Sequence, residues 1–205
     1  MVWKYKKAGY IASIGEVEER CQTDQSKEMV RAYRNLLETS QGKLPVFRDI
    51  DLAKVKMAAP NVALCSVGIG RHCTIRFFGD GLRRRVGVSP VGRDFFEFVH
   101  PERAESIRQV MEMLVRYPCA YLAQVRQEFT SGRTIIVETV AFPLASSRTE
   151  DDGQVILTDT PIGDAETMLD RDKVLLSADV LRRDLIDLGY GVDETFEDLV
   201  SDRHD

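Results

Sequence analysis

Phe95–Met111 reads F-F-E-F-V-H-P-E-R-A-E-S-I-R-Q-V-M, an aromatic run that gives way at His100-Pro101 to a helical segment. Proline suits the first position of a helix, because its missing N–H would have had no partner there. From Pro101 the apolar residues Ile107, Val110, Met111 and Leu114 recur at helical spacing with charges between them. Pro118 stops the helix after Tyr117. His100 has three candidate roles: a haem or metal ligand, a catalytic base, or the residue before the helix. The third fits best. A residue preceding proline is biased to extended backbone, and His100 can pack on Phe96 or Phe98.

Downstream of that helix the period changes to two. In Ala120–Thr130, Tyr121, Ala123, Val125 and Phe129 fall on one face and Gln124, Arg126 and Glu128 on the other. Ser131-Gly132 turns the chain into a second strand, 134–145, and a third follows the polar loop at 154–160. Upstream, 61–68 and 72–79 read as a hairpin around Ile69-Gly70-Arg71. A short helix is expected over 81–86. A helix over 26–40 carries Met29, Val30, Tyr33, Leu36 and Leu37 on one face. A further amphipathic helix is expected over 178–188, closed by Gly189. Two strands, helices and three more strands predict an α+β domain with a five-stranded antiparallel sheet covered on one face by helices. Flanking N- and C-terminal helices complete the expectation. The boundaries expected are an N-terminal extension at 1–25, the domain at 26–163, and an acidic C-terminal extension at 164–205.

Several function classes are disfavoured by composition. The 205 residues are 43% hydrophobic and 30% charged, enough for a substantial core, with a formal charge of −5. A net-acidic chain does not offer the basic surface that nucleic acid requires. No apolar run reaches the roughly 18 residues of a membrane span, and no signal-peptide pattern is found, so a cytoplasmic setting is expected. Cys21, Cys65, Cys73 and Cys119 form no C-x-x-C pair, so neither a zinc site nor a redox motif is expected. P-loop, G-x-S-x-G, H-E-x-x-H and dinucleotide-turn patterns are missing, so no enzymatic activity is expected.

The order of these elements, with the residues that punctuate it, resembles a PAS domain. V-H-P-E-R-A at 99–104 is similar to the family's His-Pro-acidic start of its long helix. The chain resembles an alphaproteobacterial PAS subfamily that pairs an N-terminal helix with a Leu-Pro connector. The matching pieces are Y-R-N-L-L at 33–37, G-K-L-P-V-F-R-D-I-D at 42–51, I-R-F-F-G at 75–79 and F-P-L-A at 142–145. The pattern departs at Tyr33, where the subfamily has tryptophan, and at Leu52, where it has proline. The resemblance covers about residues 26–163. It implies a stand-alone sensory or interaction module of signal transduction that binds a small molecule or a partner protein. No haem, flavin or metal cofactor is expected. Cys73 lies in a strand, unlike the helical cysteine of light-sensing relatives, and His72 and Cys73 point to opposite faces. The alternatives are a small α+β enzyme that uses the cavity as its active site and a ligand-free structural adaptor.

Cavity candidates are Arg76, Phe78, Phe96, Phe98, Met111 and Tyr121. Arg76, Arg126 and Glu138 are mid-strand charges, and any that faced inward would be costly unless paired or ligand-bound. Arg83-Arg84-Arg85 reads as a solvated helix face. The apolar stripe of the first helix must be buried, either on its own domain's sheet or against a second copy; a homodimer is expected, with Met29, Tyr33, Leu36 and Leu37 at the contact.

Overall fold

The structure is a computed structural model and describes residues 9–11, 13–41, 43–87, 90–99, 101–146, 151–163 and 175–191. Its elements in chain order are β1 (Gly9–Ile11), α1 (Ile14–Arg20), α2 (Asp24–Thr39), β2 (Val62–Gly68), β3 (His72–Phe78), α3 (Asp80–Val86), α4 (Pro101–Arg116), β4 (Cys119–Phe129), β5 (Thr134–Leu144), β6 (Gly153–Pro161) and β7 (Leu175–Asp187). Short 3-10 turns at Phe47–Asp49, Ala59–Asn61 and Phe95–Phe98 connect them. The strands form one sheet in the order β1-β7-β4-β5-β6-β2-β3, antiparallel except for β1 against β7. Strands β2 to β6 are the five expected, and the fold is α+β and PAS-like. His100 lies outside the described residues; α4 starts at Pro101 as the sequence predicts.

Two further strands come from the flanks. The expected helix over 178–188 is instead β7, paired with β4 from Cys119↔Asp187 to Phe129↔Leu175. The reason is a bulge. Gln124 pairs with Arg182 and Val125 with Val180, so Leu181 has no partner and the alternation of β7 changes phase there. Apolar residues on either side of a phase change fall three to five positions apart, which imitates a helix. Exposed edge groups of β4 then select the strand, since unpaired backbone groups there would remain without ladder partners. Residues 9–11 and 175–187 thus join the sheet, and Val17 of α1 joins the core.

Both faces of the sheet are covered. On one, Val110, Met111, Met113 and Leu114 of α4 pack over Ala63, Cys65, Ile75, Tyr121 and Val137, with Leu82 of α3 beside them. Gly153 allows this close approach, because a Cβ there would lie 2.5 Å from Val115 Cγ1. On the other face, α1 and α2 pack over Leu64, Leu122, Val140, Phe142 and Ile156.

The α2 stripe accordingly faces its own sheet. Met29 and Tyr33 are 1% and 0% exposed, and Leu36 and Leu37 are half-buried against the same core. The Tyr33 ring stacks on Phe142 at 4.3 Å between centroids, and its hydroxyl donates to the Pro143 carbonyl at 2.6 Å. Met29 and Tyr33 are therefore not available for the expected dimer contact, because intramolecular packing already removes them from water. The Leu44-Pro45 connector runs alongside, with the Ala145 N–H donating to the Pro45 carbonyl at 2.9 Å.

Glu138, 1% exposed, faces this second layer and secures the start of α2. Its carboxylate accepts the Gln22 N–H at 2.7 Å, the Thr23 N–H at 3.0 Å and the Thr23 hydroxyl at 2.8 Å. Thr23 is in turn the N-cap of α2, accepting the Ser26 N–H at 3.2 Å. The positive end of the helix adds a favourable field for the buried anion.

Two stability predictions follow from these layers. Leu114, fully buried under α4, should cost about 2–5 kcal/mol as Leu114→Ala in urea unfolding. Arg108 lies with its guanidinium 4.0 Å from the Phe96 centroid, so Arg108→Ala should cost about 0.5–1 kcal/mol. Equal midpoints would contradict the packing of α4. Glu138→Ala should lose about 2–4 kcal/mol by stranding three donors, and Glu138→Gln less; an unchanged midpoint would rule out the anchoring role.

Candidate functional site

Between the sheet and the layer of α3, the Phe95–Phe98 turn and α4 lies a cavity of about 180 Å³. Its floor is built by strand alternation. Tyr121 and Val125 of β4 face it, with Thr139 and Ala141 of β5, Leu157 and Asp159 of β6, and Ala63 of β2. Its roof is Ile107, Val110, Met111 and Leu114 of α4, and Phe78, Leu82, Val86, Phe95 and Phe98 close the end near α3. Strand β7 makes the remaining wall through Leu175, Ala178, Val180 and Arg183. The lining is mostly apolar, so the space suits an apolar body with a few oriented polar contacts.

Of the cavity candidates read from the sequence, Phe78, Phe98, Met111 and Tyr121 line the space and Arg76 and Phe96 do not. Leu64 pairs with Phe77 and Cys65 with Ile75, so Arg76 is the extra residue of a bulge in β3. Its Nε donates to Ser66 Oγ at 3.0 Å, and Nη2 lies 3.8 Å from Asp151 Oδ1. Asp151 also lies 3.1 Å from His72 Nε2. Arg76 therefore belongs to a polar cluster away from the cavity. Phe96 is turned aside, edge-on to Phe95 with ring centroids 5.7 Å apart, and covered by Arg108.

The polar end of the cavity came from residues that strand alternation could not rank without pairing. Asp159 is its centre. Its Oδ2 accepts from Arg85 Nη2 at 2.6 Å and Gln127 Nε2 at 2.8 Å, and its Oδ1 accepts the Thr139 hydroxyl at 2.7 Å. Arg85 Nη2 also reaches the Asp159 carbonyl at 2.6 Å, and Arg85 Nη1 reaches Asn61 Oδ1 at 3.3 Å. Arg85 is thus buried at 7% exposure, whereas Arg83 and Arg84 are exposed as expected for a solvated face. The helical turn of α3 separates the three arginines in space, so one of them can be structural while two stay in water.

The other mid-strand charges do not enter the cavity. Arg126 Nη2 pairs with Asp179 Oδ2 at 2.7 Å, and Glu138 holds α2 on the opposite face. Arg183 was hidden by the helical reading of its segment. In β7 it sits opposite Ala123, 7% exposed, and lines the cavity. Burial pushes the Tyr121 phenol above its ordinary value, with Arg183 pulling it down and Asp159 pushing it up. Among the described residues no group of three or more His, Cys, Asp or Glu side chains is placed to hold a metal ion. No helix among them is long and apolar enough to cross a membrane.

Comparison with family models and with curated proteins finds no match. Solved structures with a similar fold include the dark structure of the blue-light photoreceptor Aureochrome1 LOV, 15% identical over 56% of this chain and 85% of that one, at a TM-score of 0.40. Another is Drosophila melanogaster Cycle PAS-B with bound ethylene glycol, at 17% identity, 49% and 97% coverage and a TM-score of 0.38. The PAS domain of a protein from Colwellia psychrerythraea is 14% identical over 55% and 98%, at a TM-score of 0.38. At these values the likeness is one of fold and says nothing about what this chain binds.

Asp159 and Arg85 form a buried pair, so breaking it from one side leaves an uncompensated charge. Asp159→Ala should cost about 3–5 kcal/mol in urea unfolding. Asp159→Asn, which keeps an acceptor for Thr139 or Arg85, should cost less. Equal loss in the two variants would show that shape rather than charge matters there.

Proposed function

We propose that this chain is a sensory or interaction module of the PAS kind that takes a small, largely apolar molecule into the cavity beneath α4. The supporting observation is the cavity itself: about 180 Å³ left open among side chains that elsewhere pack closely. A ligand-free adaptor would be expected to fill such a space, because lining atoms without partners lose dispersion contacts. A small enzyme would need an ionisable group free to transfer a proton, and Asp159 is instead held by three side-chain donors. We therefore read the chain as a binding module without catalysis.

The route from ligand to output in this reading is β7. Leu175, Ala178 and Val180 line the cavity, and the same strand pairs with β4 on one side and β1 on the other. A molecule that fills the cavity supports β7 on β4, and through β7 it holds both flanks of the domain. Membership of the alphaproteobacterial subfamily, with its cytoplasmic setting, belongs to the same proposal and rests on the motifs at 33–37 and 42–51. Homodimerisation through α2 is left out of it, since Met29 and Tyr33 are buried within the fold.

The test uses 1-naphthalenemethanol and 1-naphthoate as probes and methyl NMR as the readout. Binding in the cavity should shift the Leu114, Leu157 and Val180 methyl signals. Ala141→Leu places added volume on the cavity floor; it should keep the fold and thermal midpoint while weakening binding at least tenfold. If neither probe shifts these methyls in the wild-type protein, the cavity is not a binding site.

A further inference from the structure

We propose that Arg183 is an anion-recognition residue and that the cavity takes a small monocarboxylate with an apolar body. The inference rests on the cavity reading above and adds the chemical class of the ligand.

Arg183 is a buried cation in a mostly apolar space. Its Nη1 has no hydrogen-bond partner among the described residues, and the side chain makes no ion pair among them. A guanidinium is always charged and carries five donors, so such burial is unfavourable until an anion arrives. Among the described residues, the other charges near it are accounted for. Arg182 and Asp184, its neighbours on β7, pair with each other at 2.9 Å on the opposite face. On the cavity face the nearest acid from the sheet is Asp159 of β6. In the strand register Arg183, Ala123, Thr139 and Asp159 form one row across β7, β4, β5 and β6. Three strand spacings separate the two ends by roughly 14 Å of backbone, and Asp159 is already neutralised by Arg85 at 2.6 Å. From α3 and α4 the lining residues are apolar. Among the described residues that line the cavity, the remaining ionisable group is the Tyr121 phenol, neutral near pH 7.

In that row the two residues between the charges, Ala123 and Thr139, have small side chains, which leaves room beside Arg183. A carboxylate can lie there and accept two parallel N–H bonds from the guanidinium. A second buried atom agrees with a polar ligand end: Gln127 Oε1 has no partner among the described residues, so it can accept a hydrogen bond from a ligand hydroxyl. One guanidinium without an ion-pair partner among the described residues matches one negative charge. Phosphate-like dianions fit poorly, because Asp159 and apolar walls surround the single cation.

The experiment measures calorimetric affinity for two acid–alcohol pairs, 1-naphthoate with 1-naphthalenemethanol and octanoate with octan-1-ol, alongside the cavity methyl shifts. In the wild-type protein each acid should bind at least tenfold tighter than its alcohol. Arg183→Met should weaken the acids by about 10- to 100-fold and leave the alcohols unchanged. Arg183→Met should also raise the urea midpoint of the ligand-free protein, which a merely structural arginine would lower, and Arg183→Lys should retain part of the acid preference. Acids and alcohols binding equally to the wild-type protein, with the methyl shifts present, would overturn the anion assignment while leaving the cavity reading standing. Silence of all four probes at those methyls would overturn the cavity reading and this inference together. A lower ligand-free midpoint for Arg183→Met would likewise overturn it.

Discussion

The register between β4 and β7 is the constraint on which the site depends. Eleven paired positions, from Cys119↔Asp187 to Phe129↔Leu175, bring a distant segment against what would otherwise be an open strand edge. Hydrogen bonding of the β4 edge drives the pairing, and side-chain burial sets its phase. The bulge at Leu181 then lets Arg183 on one side of it, and Ala178 and Val180 on the other, face the same cavity, with Leu185 in the core on that face. Without that extra residue, one of the two sets would point away.

The sheet carries buried charges on both faces, and they are treated differently. Glu138 sits under α2 with three donors on its carboxylate, so its desolvation is offset by hydrogen bonds and by the helix field. Asp159 sits at the cavity rim with Arg85, Gln127 and Thr139 around it. These two anions are structural. Arg183, equally removed from water, has no such partner among the described residues. On the proposed reading, that cation gives the cavity its chemical specificity.

The layering also decides where change can propagate. The α1–α2 face is closed by Tyr33 on Phe142 and by Glu138 on Thr23. The α4 face holds the open volume. Strand β7 borders that volume and carries β1 as its parallel neighbour. On the proposed reading, ligand binding thus acts on an element whose outer side is paired over only three positions, Gly9↔Asp184 to Ile11↔Ile186, and that joins both flanks of the domain. Local stability is lowest at such edges, which makes them responsive to added contacts.

The sequence by itself determined the central architecture. Period-two alternation placed Tyr121, Ala123, Val125 and Phe129 on one face of β4, and helical spacing placed Val110, Met111 and Leu114 on the inner side of α4. Those are local periodicities, and burial enforces them directly. It also marked Phe78, Phe98, Met111 and Tyr121 as cavity residues, because core and cavity share one face. Tertiary structure alone decided the rest. The Leu181 bulge made β7 look helical, and the Arg76 bulge turned a mid-strand arginine out of the cavity. Arg85 and Asp159 found each other across 74 residues, and Met29 and Tyr33 of the α2 stripe went to their own sheet. In each case the outcome depended on which distant backbone offered unpaired groups or an apolar face. Such pairings follow from long-range geometry, which local spacing does not encode.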